Sequence, residues 1–286
     1  MSIPVAYHDR RQEGETTLRQ AQLVLLHLLY VFDAICKKHN IQYWLAWGSC
    51  LGALRHNGFI PWDDDLDVGM AAKDYKRMLR ILPQELPDDV YLQVPEDNPT
   101  IAICFSKLRD MHSFCGEVRY DSTLCDPSGL YIDIFPFDEV PDVGPSFAKL
   151  LIKICGSSWH RYYYFKHFAA RSVRVALWSI PLAFACKIVN ILTTALVVAF
   201  RFVFPCSNLC DTFNHGETRL YKKEWFASTK LHRFEDGEFP IPVCADEYMR
   251  VRYGNWREVP PIDKRPHHAT MIDPFHSVSD AYKMIN

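Results

Sequence analysis

WGSCLGALRHNGFIPWDDDLDVGM, residues 47–70, sets Gly48-Ser49 ahead of four acids packed into five residues: Asp63, Asp64, Asp65 and Asp67. If PWDDDLDVGM is extended, Asp63, Asp65 and Asp67 line one face while Asp64, Leu66 and Val68 line the other. Three like charges on one face repel unless a cation sits among them, which makes Asp63, Asp65 and Asp67 candidate metal ligands. A solvated acidic turn, with Asp side chains capping nearby backbone, is the competing reading. Against it, Phe59, Ile60, Trp62, Leu66, Val68 and Met70 bracket the acids as a strand entering a core would. Gly48 and Ser49 also offer a tight turn whose N–H groups can approach a phosphate. The stretch therefore predicts a sheet strand built for metal-dependent phosphate chemistry.

Upstream, Leu18, Ala21, Leu25, Leu28, Leu29, Phe32 and Ile35 recur at three and four residues, predicting an amphipathic helix from Thr17 to about His39. IQYWLAWG reads as a short strand ended by Gly48, and Leu51–His56 as a short helix. Downstream, Ala72–Leu82 predicts a helix closed by Pro83, with strands near 90–94, 101–109 and 129–135. Toward the end, Pro240 and Pro242 bracket a turn and Asp246 is placed to N-cap a helix. Mixed strands with flanking helices give an α/β (α+β) sheet domain. The organisation expected is a catalytic core over 1–145, an insertion over 146–210 and a completion of the catalytic domain over 211–286.

The formal net charge of −2 is uninformative as a total. Between Asp142 and Asp211, however, there is no Asp or Glu, while eight Lys and Arg occur, among them Lys149, Lys153, Arg161, Lys166, Arg174 and Lys187. The rest of the chain then carries about −10, the difference between −2 and +8. Within the insertion, Val175–Cys186 and Ile188–Phe200 are apolar runs parted by Lys187, each short of the ~20 residues a spanning helix needs. HRYYYFKHFAARSVR ahead of them interleaves aromatics with Arg and Lys, the pattern of an interfacial segment on an anionic membrane surface. A buried helical hairpin and a true transmembrane pass are the competing readings. Nucleic acid fits the long uncharged runs poorly. The N-terminus lacks an apolar signal region and the ten cysteines lack scaffold spacing, so a cytoplasmic chain with reduced thiols is expected. Cys206, Cys210 and His215 have a spacing that could open a zinc site, with no fourth ligand evident and ordinary thiols the plainer reading.

Beyond the acids, LRQAQLVLLHLLYVFDAICKKHNIQYWLAWGS, FSKLRD at 105–110, GLYIDIFPFDEV at 129–140 and YMRVRYGNWREVPP form an ordered series ending at Lys264, Arg265, His267 and His268. With Gly48-Ser49 and Asp65-Leu66-Asp67, this series resembles the LicD/fukutin family of phosphotransferases, within the nucleotidyltransferase superfamily. The likeness covers most of the chain apart from roughly 145–215. It implies transfer of a phosphorylated alcohol, phosphocholine or a polyol phosphate, from a CDP-linked donor to a hydroxyl of a cell-surface glycan with release of CMP. In bacterial relatives the acceptor is often lipid-linked, which would give an inner-leaflet docking segment a purpose.

Phosphoryl transfer asks mainly for positioning and charge neutralisation, supplied by carboxylates through Mg²⁺ or Mn²⁺. Asp65 and Asp67 would bridge the ions. Asp133 is the best third acid, because a carboxylate among Tyr131, Ile132, Ile134 and Phe135 is costly unless paired or on metal. Lys107 and Arg109 share one strand face and would meet the donor pyrophosphate, unless they serve a surface ion pair with Asp110. Arg55 matches the family pattern and is a second phosphate candidate. Lys264, Arg265, His267 and His268 either reach a phosphate or form a solvated basic tail. Two other functions stay open: nucleoside monophosphate transfer from an NTP, and a non-catalytic membrane-surface module. A glycosyltransferase with an Asp-x-Asp motif is less well served, because only one helix and one strand precede the acids.

Overall fold

The apolar repeat from Leu18 forms α1 (Thr17–Lys38), which starts where the Thr16 side chain accepts the Arg19 N–H and ends on Lys37 and Lys38, charges that suit a helix C-terminus. The structure is a computed structural model and describes residues 9–95, 97, 103–117, 128–169, 172–265 and 269–277. The chain forms two compact units. One comprises Met1–Gln93, Ser106–Ile134 and Thr229–Asn286; the other comprises Val94–Phe105 and Phe135–Ser228.

The first unit is a mixed sheet flanked by helices, as the alternation of elements implies. Its strand order is β1 (Trp44–Leu45), β2 (Asp67–Ala71), the first half of β6 (Tyr131–Val140), β4 (Ser106–Asp110) and β3 (Val90–Gln93). Lys107 of β4 stands opposite Gln93 on one side and Asp133 on the other. Leu25, Leu28, Leu29 and Phe32 of α1 are fully buried. Around the sheet lie α2 (Trp47–His56), α3 (Ala72–Glu85), α6 (Ala245–Tyr253), the antiparallel pair β9 (Thr229–Phe234) and β10 (Gly237–Pro242), and the ladder of β5 (Phe114–Glu117) with β11 (Ala269–Asp273).

In the second unit the later half of β6 pairs with β7 (Asn208–Cys210), which pairs with β8 (Tyr221–Lys222). Two long antiparallel helices dominate it, α4 (Pro145–Ala169) and α5 (Val173–Val203). Ala148, Leu151, Ile152 and Cys155 of α4 meet Val197 of α5, Val140, Cys210 and Phe213 in one core. The Asn190 amide bridges the Cys155 carbonyl (3.0 Å) and the Asn214 side chain (2.9 Å), so the polar group on the inner face of α5 is satisfied.

Several expectations are corrected. Gly48 and Ser49 are not a turn between strands; they lie in the first turn of α2, which follows β1 directly. Only Asp67 of the acids is in a strand. Pro61 to Leu66 is turn and coil, closed by Asp63 N–H to the Ile60 carbonyl at 2.9 Å, because proline ahead of three adjacent acids favours a turn over a ladder. α3 runs one turn through Pro83, where a proline removes only one late helical bond. Pro240 and Pro242 sit within β10, with the turn earlier, at Glu235-Asp236. Asp246 is not the cap of α6: Cys244 holds that position, and Asp246 accepts from Arg250 (2.7 Å) and Arg257. The two apolar runs are a single helix of 31 residues through Pro181 and Lys187, so their separate lengths do not exclude a span. By length and composition both α1 and α5 could cross a membrane, but α1 is largely buried in its unit whereas α5 is largely exposed.

Candidate active site

The site is built where β1 gives way to α2 and the acidic turn gives way to β2. The Asp67 N–H donates to Ser49 Oγ at 2.7 Å, and the Asp67 carbonyl accepts from Ala46 N at 2.9 Å. The start of β2 is thereby clamped to the start of α2. One strand over, Asp133 N–H donates to the Leu66 carbonyl at 2.8 Å, which brings Asp133 beside the acids flanking Leu66. Gly48 allows a close approach: a Cβ there would stand 3.0 Å from Asp63 Oδ2. Trp47, just ahead, takes φ +37, a strained backbone for a bulky residue, with its N–H donated to the Tyr248 hydroxyl at 3.2 Å.

Electrostatics identify the acids as one group. Burial, with Asp65 and Asp64 next, pushes Asp63 up to about 9. Burial likewise holds Asp67 well above the usual carboxylate range, with Asp65, Asp133 and Asp63 adding to it and Arg252 opposing. Asp63, Asp64 and Asp65 each offer an oxygen within 4.8 Å of the others. Asp64 therefore belongs to the acidic cluster rather than to an opposite face, and its other role is to accept the Ala269 N–H at 2.9 Å. A set of hard carboxylate oxygens, crowded enough to oppose their own ionisation, fits Mg²⁺ or Mn²⁺. Asp65 is the most exposed of the four acids in the turn and strand.

The cations divide. Lys107 is 2 % exposed, 3.0 Å from Asp133 Oδ1 and 3.3 Å from the centre of the Tyr131 ring. It touches a candidate metal ligand. Arg109, also 2 % exposed, donates to Gln93 Oε1 (2.7 Å) and the Gly129 carbonyl (2.8 Å). It braces the sheet rather than facing a donor. Neither is in a surface pair with Asp110, which is buried against Arg11 at 2.6 Å. Arg55 donates to the Trp256 and Glu258 carbonyls at 2.9 and 3.1 Å, and its charge partly offsets that of Asp63. Arg265 stacks 3.9 Å over Trp62, the neighbour of Asp63, while Lys264 is exposed in a short turn of helix. His267 and His268 lie outside the described residues.

Residues that sequence reasoning did not single out include Arg252, which lies 5.0 Å over the Trp47 ring and opposes the upward shift of Asp67, and Tyr248, which holds Trp47. Both belong to YMRVRYGNW, a run whose helical character was readable but whose partners are distant in sequence. In the second unit, His215 Nδ1 meets Asp211 Oδ2 at 2.9 Å, and burial raises the Cys210 thiol well above its usual range.

Residues 40–168 match the family model described as LicD/FKTN/FKRP, nucleotidyltransferase domain. Over 271 residues, 88 % of this chain and 96 % of the relative, the chain is 28 % identical to the lipopolysaccharide cholinephosphotransferase LicD of Haemophilus influenzae. A shorter segment of 71 residues, 25 % of this chain and 14 % of the relative, is 34 % identical to human ribitol 5-phosphate transferase FKRP. A third, of 58 residues, 20 % of this chain and 13 % of the relative, is 36 % identical to mouse ribitol-5-phosphate transferase FKTN.

Proposed function

We propose that this chain, a member of the LicD/FKTN/FKRP family through its domain at residues 40–168, transfers a phosphorylated alcohol from a CDP-linked donor to a hydroxyl of a cell-surface glycan. The relatives' names, lipopolysaccharide cholinephosphotransferase and ribitol 5-phosphate transferase, each denote transfer of a phosphorylated alcohol, which supports that part of the reading. The observation that carries the reading is the acidic cluster assembled from the turn at Asp63–Asp65, the first residue of β2 and Asp133 of β6. Asp63, Asp65, Asp67 and Asp133 would hold Mg²⁺ or Mn²⁺, which when bound supplies neutralisation of charge on the transferred phosphate. The acceptor hydroxyl attacks the distal phosphorus, the bond to the CMP oxygen breaks, and the hydroxyl proton is lost to a carboxylate or to water. Ser49 fixes the backbone of Asp67, and Lys107 orients Asp133. Arg55 and Arg265, beside the acidic turn, would bind donor phosphates.

Attachment to the cytoplasmic face of a membrane through the basic, apolar hairpin α4–α5 is part of the proposal, since a lipid-linked glycan acceptor would lie there. The test is product analysis. Purified protein with Mg²⁺ or Mn²⁺, CDP-choline or CDP-ribitol and a glycan acceptor should release CMP and label the acceptor. Release of pyrophosphate from CTP, with CMP left on the acceptor, would instead assign nucleoside monophosphate transfer, the second reading that the description of the matching domain favours.

A further inference from the structure

The hairpin α4–α5 separates charge from apolar surface in a way that its own packing does not use. On α5, Ser179, Ala183, Asn190 and Val197 are buried, and their spacing of four and seven residues marks one face turned to α4. Lys187, the only charge between Arg174 and Arg201, also turns to α4, 5.2 and 5.1 Å from the Trp159 and Tyr162 rings. The opposite face shows Leu177, Phe184, Ile188, Leu192 and Phe202, from 40 % to 88 % exposed. At the rise of an α-helix, the uncharged outer strip over residues 175–200 is about 39 Å long. Such a strip on a folded protein marks an interaction surface.

On α4 the outer stripe is cationic instead. Lys149, Lys153 and Arg161 are exposed, and none has an ion-pair partner among the described residues. Between α4 and α5 runs a groove of about 340 Å³, with Lys153, Ser157 and Arg161 on one wall and Ala185, Cys186 and Val189 on the other. A second hollow on the far side of the stripe shares Lys153, Ser157 and Arg161 and adds His160 and His215. One wall is cationic, the other is continuous with the apolar strip, and no acid occurs anywhere between Asp142 and Asp211.

We propose that this groove is a binding site for the phosphate of an anionic phospholipid, with Lys153, Ser157 and Arg161 on the headgroup and the outer face of α5 immersed in acyl chains of the same leaflet. The proposal rests on the membrane attachment given above and adds to it a site and a ligand. A free anion would use the cationic wall alone, whereas an amphiphile matches both walls. Crossing of the bilayer is disfavoured because the helices pack along their whole length, from Phe147–Phe200 to Phe165–Trp178. A span by α5 would carry Lys149, Lys153 and Arg161 into hydrocarbon with it.

The test uses the full chain, without donor or acceptor, floated with vesicles of phosphatidylcholine alone or mixed with phosphatidylglycerol. Lys153→Ala with Arg161→Ala should weaken binding to the mixed vesicles by more than about 30-fold, the loss that diffuse attraction of two basic residues to an anionic surface would give. Lys149→Ala with Lys166→Ala removes the same charge away from the groove and should cost clearly less. Phe184→Ser with Leu192→Ser should weaken binding to both vesicle types. Equal losses from the two basic pairs would overturn the site, leaving diffuse attraction. Displacement by inorganic phosphate at constant ionic strength would assign the groove to a free anion. Failure of the folded wild type to float on either vesicle, with a dimer by light scattering, would assign the strip to a second copy. The phosphotransfer reading fails separately, by absent CMP release, and CMP release with a soluble acceptor should be unchanged in the Lys153/Arg161 variant.

Discussion

At Asp67 the folded chain keeps a carboxylate where burial, Asp65, Asp133 and Asp63 all oppose its charge, and Arg252 only partly compensates. Asp63 is held up to about 9 in the same way. For acids raised on folding, the sign of the linkage is fixed. Below the unfolded value, near 4, both states are protonated and no penalty exists. As pH rises toward the folded value the unfolded chain ionises while the folded one keeps its protons, so metal-free stability falls through that window. A divalent cation should reverse this, releasing protons as it binds. Thermal melts at pH about 5 and about 8 should show a lower Tm at the higher pH in chelator, with Mg²⁺ or Mn²⁺ raising Tm most there. A metal effect equal at both pH values would remove the carboxylate cluster as the metal site. Asp65→Asn, Asp67→Asn and Asp133→Asn should each cut transfer by more than roughly 10²-fold in folded protein, because a metal ligand is worth several kcal/mol in the transition state. Asp64→Asn, also in the cluster, should fall between these and wild type. Arg109→Ala should behave differently: its guanidinium is spent on Gln93 and Gly129, so the loss should appear as stability, about 2–3 kcal/mol by denaturant melts, rather than as a raised KM for the donor.

Among the elements, the acidic turn shows why part of the site was legible in the sequence and part was not. The apolar periodicity of α1, the helix α3 and the strands near Val90, Ser106 and Tyr131 could be read because each is a local repeat. Asp133 was readable too, as one acid in an apolar strand. The turn reads as a strand in the sequence because alternation over three adjacent acids is indistinguishable from chance, and what holds Pro61–Leu66 comes from afar. Gln22 of α1 donates to the Asp63 carbonyl at 3.0 Å and approaches the Ile60 carbonyl at 3.4 Å, while Glu235 accepts the Phe59 N–H at 3.0 Å. Arg252 and Tyr248 were missed for the same reason, since their partners Asp67 and Trp47 lie some two hundred residues away. If side chains of other elements hold this turn, loosening them should cost activity without touching a ligand. Gln22→Leu should lower transfer about tenfold and stability by about 1–2 kcal/mol, leaving the Asp63 carbonyl unpaired. A variant with the stability loss but full kcat would show that the turn keeps its geometry without the clamp.

For the molecule as a whole, the net charge of −2 hides two populations, a hairpin with eight cations and no acid between Asp142 and Asp211 and a remainder near −10. An anionic surface attracts the first and repels the second, so the approach is steered to the hairpin. In the proposed attachment the outer strip of α5 would add apolar insertion, which salt does not screen. Membrane binding should therefore weaken only in part at high ionic strength and be abolished by detergent. A helix lying in one leaflet should also come off in alkaline carbonate, whereas one that crosses should not. Fractionation of membranes carrying the full chain decides between them: retention in the carbonate pellet would mean that α5 spans the bilayer. In that case α4, which packs against α5 from Phe147 to Phe165, would have to leave it first, because its lysines and arginines cannot follow into hydrocarbon at a cost of ~2.5–3.5 kcal/mol each. Release by carbonate together with partial resistance to salt is the outcome that the intact hairpin requires.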